Sequence, residues 1–469
     1  MTRPLRTAGG VLLIVVLLCA AAALGYVETH AARSPASAPA RPSTPTGAGA
    51  SALDSAGAAP ASTPAPPGTA VRPSALARRL RPALAAGALG PGVHAEVIDV
   101  LTGRVLFGNG SDAPGAPAST AKLLTAAAVL ATRGPQYRIT TRLAYVASGT
   151  ARGTLVLVGG GDPTLTAATG STHPAYPGAA RLASLVRAFR ATHRHVSRIV
   201  VDDAAFAGPT VSPAWDADDV PSSYGAGITA VMTDGGRASP GAVVRSAAPD
   251  LAAGAELAAR IGSPHLPVTR GALPSGARTV ASVRSAPVST LIEQMLQESD
   301  NVIAECLARQ VAMVEHDPVT FTGAARAIRA VVQRRLGVRV GAGMVDGSGL
   351  AASDRLTVAG LAGVLRAAAG ASDSGSGSPL GALMSGLPVA AWSGTLDDRY
   401  VSGSARAGAG VVRAKTGTLT GVSTLAGLVH DRGGRLLAFA ILADRTGATP
   451  QAEAALDVAA TRIATCGCG

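Results

Sequence analysis

Pro117-Ala118-Ser119-Thr120-Ala121-Lys122-Leu123-Leu124-Thr125-Ala126 is the stretch on which the reading of this chain turns. It holds one of only two lysines; the other is Lys415, in Val412-Arg413-Ala414-Lys415-Thr416-Gly417-Thr418. Lysine and arginine together number 41, so 39 are arginine. Arginine stays protonated in proteins, whereas a buried lysine can lose its proton and act as a base. Ser119 and Lys122 stand three positions apart, so a helix over this run would put both side chains on one face. A serine hydroxyl is a weak nucleophile until an adjacent base takes its proton. A helix N-terminus also offers free backbone N–H groups where negative charge develops. Ser-x-x-Lys by itself is a common pattern, with Ser119 equally able to serve as a helix cap, so the rest of the chain decides.

At 469 residues the chain has room for two or three domains, at roughly 100–200 residues each. Aromatic residues make up 3%, so the core must be built from Ala, Val and Leu. The net charge is +12 and the pI about 10.5. Without a lysine-rich run or interleaved aromatic residues for stacking on bases, nucleic acid is not an expected partner. A solvated arginine-rich surface, or one facing an anionic cell-wall polymer, accounts for the charge. Arg3 and Arg6 precede an uncharged, strongly apolar stretch over 7–27. That pattern predicts export, through a cleaved signal peptide or an uncleaved membrane anchor over 1–27. Outside the cytosol, a disulfide from Cys306 to Cys466 or Cys468 is expected. No cysteine or histidine spacing suggests a zinc site, and no metal is expected.

Residues 28–75 are rich in Pro, Ala, Ser and Thr and read as a disordered tether. A hairpin is expected over 93–107, across the Thr102-Gly103 turn, followed by a helix from Ser119 to about Leu130. Short strand-like pieces such as Ile199-Val200-Val201 alternate with Pro/Gly loops up to about Arg284, as in an inserted block. One amphipathic helical pattern covers 289–315 and includes Ser299-Asp300-Asn301. Asp346-Gly347-Ser348-Gly349 reads as a tight structural loop near the site rather than a catalytic element. A helix over 356–369, a strand over 411–419 carrying Lys415, a hairpin over 423–443 and a helix over 450–464 follow. This order predicts an α+β fold whose sheet joins both ends of the chain.

Ser119-x-x-Lys122, Ser299-Asp300-Asn301 and Lys415-Thr416-Gly417 occur in that order, and both lysines of the chain lie in two of them. The set is the signature of penicillin-recognising serine enzymes. With the flanks Gly160-Gly-Asp-Pro-Thr-Leu165, Ser299-Asp-Asn-Val-Ile-Ala-Glu305 and Asp346-Gly-Ser-Gly-Leu350, the chain resembles the D-alanyl-D-alanine carboxypeptidase/endopeptidase family, the class C low-molecular-mass penicillin-binding proteins of peptidase family S13. The resemblance runs from about Leu76 to Ala464. It implies a serine β-lactamase/DD-peptidase-like sheet-and-helix domain (76–137 and 286–469) with an inserted, mostly β domain (138–285).

The resemblance also implies a mechanism. Ser119 attacks the carbonyl of a D-Ala–D-Ala bond in a peptidoglycan stem peptide, and unprotonated Lys122 is the base. Ser299 relays the proton to the leaving amine, and Asn301 holds the peptide amide. Lys415 supplies positive charge that keeps Lys122 neutral and attracts the terminal carboxylate, which Thr416 and Thr418 bind. The backbone N–H groups of Ser119 and Thr418 form the oxyanion hole. No cofactor is needed, and β-lactams would acylate the same serine. The rival readings are a serine β-lactamase or esterase of the same fold, and a non-catalytic cell-wall-binding protein. Against the β-lactamase stand the long insert and the lack of a Glu-x-x-Leu-Asn motif.

Overall fold

The computed structural model describes residues 68–341, 343–370 and 379–469. The expected leader or anchor over 1–27, and most of the expected tether, lie outside the described residues. Among the described residues no helix is long and apolar enough to cross a membrane. Residues 68–75, expected as the end of the tether, are instead docked on the body. Thr69 N donates to Gly433 O, Arg72 N donates to Cys468 O, and a helix opens at Pro73. Proline suits that first helical position, where its missing N–H costs nothing.

In chain order the elements begin with α1 (Pro73–Leu84), β1 (Gly92–Asp99), β2 (Val105–Asn109) and α2 (Lys122–Arg133). Then come β3 (Thr140–Tyr145), β4 (Thr154–Val158), α3 (Leu182–Arg190), β5 (Arg198–Asp202), α4 (Pro249–Arg260), β6 (Val268–Arg270) and β7 (Arg278–Arg284). The last part holds α5 (Val288–Gln297), α6 (Asn301–Glu315), α7 (Phe321–Leu336), α8 (Val358–Gly370) and α9 (Gly381–Gly386). It closes with β8 (Arg413–Leu419), β9 (Val422–His430), β10 (Leu436–Asp444) and α10 (Thr449–Ala464).

The main sheet is antiparallel, in the order β2-β1-β10-β9-β8, so its centre is a pairing of the first strand with the last. Both faces are covered, and the two-residue period of a strand sorts the side chains. From β10, Leu437, Phe439 and Ile441 pack with Leu76 and Leu80 of α1 and Leu456 and Ile463 of α10. The alternate residues Ala438, Ala440 and Leu442 meet α2, α5, α6, α7 and α8. Alanine at two of these positions brings the helical layer close to the sheet.

A second sheet, ordered β6-β5-β4-β3-β7, is drawn wholly from 140–284. β4, β5 and β6 are parallel, linked through α3 and α4, which cover one face through Leu155, Leu157, Leu185 and Leu257. The block therefore carries two helices beside the strands expected of it.

Two expectations change. The helical pattern over 289–315 is two helices, because Ser299 takes a left-handed conformation (φ 54°) and Asp300 caps α6 by accepting a bond from Ile303 N at 2.9 Å. Short polar side chains compete for backbone groups in this way, and so favour caps over helix interiors. The helix α7, which the sequence reading did not place, shows the apolar spacing Phe321, Ala324, Ala325, Ile328, Val331 and Val332, with a Thr320 cap and Gly337 in the left-handed region.

The expected disulfide from Cys306 is not formed. Cys306 is a buried free thiol on α6, packed among Phe206, Trp215 and Phe321, while Cys466 and Cys468 are bonded to each other in the core under α1 and α10. The cysteines serve different packing layers, and burial raises the Cys306 thiol above its ordinary pKa. Peptide mapping without reductant should find Cys466 and Cys468 joined within one C-terminal peptide and Cys306 free. A cross-linked peptide containing Cys306 would contradict this arrangement.

Candidate active site

The serine and lysine of the opening motif sit where a 3-10 turn (Ala118–Ala121) becomes α2. Ala118 is held at φ 45°, and a close approach from two sides fixes the turn. Gly349, at φ 76°, lies so near that a Cβ there would overlap the Ala118 carbonyl oxygen. On the other side is Gly417 of β8, where a Cβ would overlap Thr424 Oγ1 and lie 2.9 Å from Ser119 N. The glycine of Lys-Thr-Gly is therefore a steric requirement, and it sets the Ser119 amide beside the strand that carries Thr418.

Lys122 begins α2 and is fully buried. Its Nζ lies 2.8 Å from Ser119 Oγ, and it donates to Asn301 Oδ1 at 2.6 Å and to the Ser348 carbonyl at 2.9 Å. Burial lowers its pKa to about 8, although the charges of Asp346, Asp300 and Glu305 pull the other way. An amine so held donates N–H bonds to two carbonyl-type acceptors, and its third tetrahedral direction meets the serine hydroxyl.

Ser299 and Asn301 reach the same point because the chain breaks between α5 and α6. Ser299 Oγ accepts from Lys415 Nζ at 2.9 Å. Asn301 is bonded from both ends of its side-chain amide. Its Oδ1 is used by Lys122 and its Nδ2 donates to the Tyr224 carbonyl at 3.2 Å, so both ends of the amide are engaged within the protein. Between them, Asp300 pairs with Arg245 at 2.6 Å, and its carboxylate is held well below the usual range by that guanidinium despite burial.

On β8, Lys415 is fully buried, and its Nζ also donates to the Thr416 carbonyl at 2.8 Å. Burial, then the neighbouring charges of Lys122 and Arg399, lower its pKa well below the ordinary lysine value. An anion beside Lys415 would favour its charged form against that burial. Thr416 Oγ1 donates to Thr395 Oγ1 at 2.8 Å, and the exposed Thr418 donates to Glu453 Oε1 at 3.0 Å.

Ser119, Ser299, Thr416 and Thr418 open onto one cavity of about 500 Å³, rimmed by Arg399 and Glu453. Arg399 is tied to Asp457 at 2.6 Å. Sequence reasoning assigned no role to Thr395, Arg399 or Glu453. They come from segments remote in sequence, and only the fold brings them to this rim. It also read the Asp346–Gly349 loop as structural, yet the Ser348 carbonyl touches the lysine directly. Among the described residues, no group of three or more His, Cys, Asp or Glu side chains is placed to hold a metal ion.

Ser119, Lys122, Ser299, Asn301, Lys415, Thr416 and Thr418 thus gather at or just beneath one cavity, from two helix starts and one sheet edge. Comparison with known proteins bears on the family and the fold. The model of the S13 D-Ala-D-Ala carboxypeptidase family matches residues 76–246 and 238–463. A carboxypeptidase of Mycobacterium tuberculosis is 41% identical over 407 residues, covering 85% of this chain and 86% of the relative. Carboxypeptidase DacB of Mycolicibacterium smegmatis is 42% identical over the same shares. Among solved structures, penicillin binding protein 4 of Haemophilus influenzae aligns with a TM-score of 0.67 at 20% identity, over 83% of this chain and 98% of that one, and so shares the fold. A fold of that type, the three motifs on one cavity and a family match over most of the chain together place it: this chain belongs to the S13 family of D-Ala-D-Ala carboxypeptidases.

Proposed function

We propose that the chain is a serine D-alanyl-D-alanine carboxypeptidase/endopeptidase that cleaves peptidoglycan stem peptides through an acyl-enzyme on Ser119 and is inhibited by β-lactams. The observation that carries this reading is the buried Lys122 amine at 2.8 Å from Ser119 Oγ with two other acceptors already assigned. In its neutral form the amine gives its two N–H groups to Asn301 Oδ1 and Ser348 O, and its lone pair faces the Ser119 hydroxyl. Proton transfer to Nζ frees Oγ to attack the carbonyl carbon of the D-Ala–D-Ala bond.

The developing oxyanion is received by the Ser119 and Thr418 N–H groups. The proton passes from Lys122 through Ser299 to the leaving amine, the C–N bond breaks and D-alanine departs. Water, deprotonated by the same base, then hydrolyses the ester and restores Ser119. The substrate's terminal carboxylate lies by Lys415, Thr416 and Thr418. That negative charge favours the ammonium form of Lys415 against the lowering that burial imposes. Support for the substrate class comes from the family match and from the names of the relatives; a β-lactam complex is known for the Haemophilus protein. The basic, apolar pattern over 1–27 fits an enzyme working in the cell envelope, outside the cytoplasm.

A fluorescent penicillin should label the wild-type protein with a lasting adduct and leave Ser119→Ala unlabelled. Lys122→Met should be acylated about 10²–10⁴-fold more slowly, the usual worth of a positioned base. An adduct that clears within seconds would instead mark a β-lactamase, and no adduct on wild type would mark a binding protein.

The pH dependence has a defined sign. The base works when unprotonated, and the Lys122 pKa is lowered to about 8. The acylation rate should therefore rise with pH through about 8 and then level off. A rate that falls with pH across this window would exclude Lys122 as the base.

A further inference from the structure

Two of the three partners of Lys122 Nζ are themselves held from the 140–284 block. Asn301 follows Asp300, whose fully enclosed carboxylate accepts from Arg245 at 2.6 and 3.2 Å, from the Tyr176 hydroxyl at 2.8 Å and from Ile303 N at 2.9 Å. Arg237 in turn donates to the Tyr176 oxygen at 2.8 Å. Tyr176, Arg237 and Arg245 all lie in the block.

Ser348 lies in a loop organised by Asp346. One Asp346 oxygen accepts from Ser348 N at 3.0 Å and Gly349 N at 2.6 Å. The other accepts from Ala351 N at 2.8 Å and from the indole N–H of Trp215 at 2.8 Å. Trp215 is again from the block, and its ring packs edge-on against Phe321 of α7, with centroids 5.0 Å apart. A third contact is the Tyr224 carbonyl, which holds Asn301 Nδ2.

These contacts have a common end point. A lysine side chain is four flexible carbons long and does not place its own amine. The acceptors Asn301 Oδ1 and Ser348 O do so, and each rests on a buried carboxylate bonded by a side chain from the second-sheet block. Buried polar networks of this kind rigidify when every member is satisfied.

We propose that the 140–284 block acts as a clamp on the base, with Trp215 through Asp346, and Tyr176 through Asp300, fixing the two acceptors that hold Lys122 Nζ against Ser119. Trp215 and Tyr176 are then positioning residues for the reaction, beyond any part the block plays in reading substrate. The inference rests on Lys122 being the base. Trp215 and Tyr176 themselves lie outside all three motifs.

The test is acylation by a slowly reacting β-lactam, with the dissociation constant of the reversible complex resolved from the acylation rate constant, on the full chain. Trp215→Phe keeps the ring on Phe321 and removes the N–H. Tyr176→Phe removes the hydroxyl alone. Each should lower the acylation rate constant about tenfold, within the loss that small misplacements of reacting groups cause, and leave the dissociation constant within about twofold. Folded variants that acylate at the wild-type rate, or whose loss lies wholly in the dissociation constant, would overturn the clamp and leave the function reading intact. A wild-type protein that is never acylated would overturn the function reading and the clamp with it. Should Trp215→Phe fail to fold, Tyr176→Phe decides by the same criteria.

Discussion

The burial of one amine governs this molecule. Lys122 has no access to solvent, and its Nζ is surrounded by Ser119 Oγ, Asn301 Oδ1 and the Ser348 carbonyl. Desolvation penalises the ammonium form and brings its pKa to about 8, within reach of working pH. The same penalty opposes folding. An unfolded chain binds this proton more tightly than the folded one between about pH 8 and the ordinary lysine value of about 10.4. Stability from this group therefore rises with pH through that window. The protein accepts that cost at neutral pH to have an amine that can act as a base.

Placing that amine requires distant parts of the chain to meet. The central pairing of β1 with β10 joins the two ends of the main domain, and β8, two strands from β10, passes against the Ser119 turn. Glycine at 349 and at 417 permits the two closest approaches. The break between α5 and α6 turns Ser299 toward Lys415 and Asn301 toward Lys122. A second lysine beside the first has an electrostatic consequence. Burial disfavours the charged form of both amines, and for Lys415 the neighbouring charge of Lys122 adds to that.

Much of the site was legible in the sequence because its chemistry is written in short local motifs. Two lysines against 39 arginines marked two of them, and Ser299-Asp300-Asn301 completed the set. The strands around Lys415 and the last hairpin were legible from their alternation and their turns. What was not legible depended on contacts between remote segments. Nothing local shows that Thr395 would meet Thr416, or that Trp215 would bond Asp346. Cys306 could not be separated from the Cys466-Gly467-Cys468 tail by counting cysteines, because the answer lies in which core each one packs into: Cys306 with Phe206, Trp215 and Phe321, the tail cysteines with α1 and α10. Asn301 was read as a substrate ligand, and its two bonds within the protein show only once Tyr224 and Lys122 are in place.

Two lysines in 469 residues also make the central claim open to direct measurement. Protein labelled with ¹³C at lysine Cε should give two lysine resonances, and Lys122→Met assigns them by removing one. The account predicts that the Lys122 signal titrates near pH 8, well below an ordinary lysine. A Lys122 signal that titrates above pH 10 would mean the amine stays charged at working pH, and the base would have to be sought elsewhere.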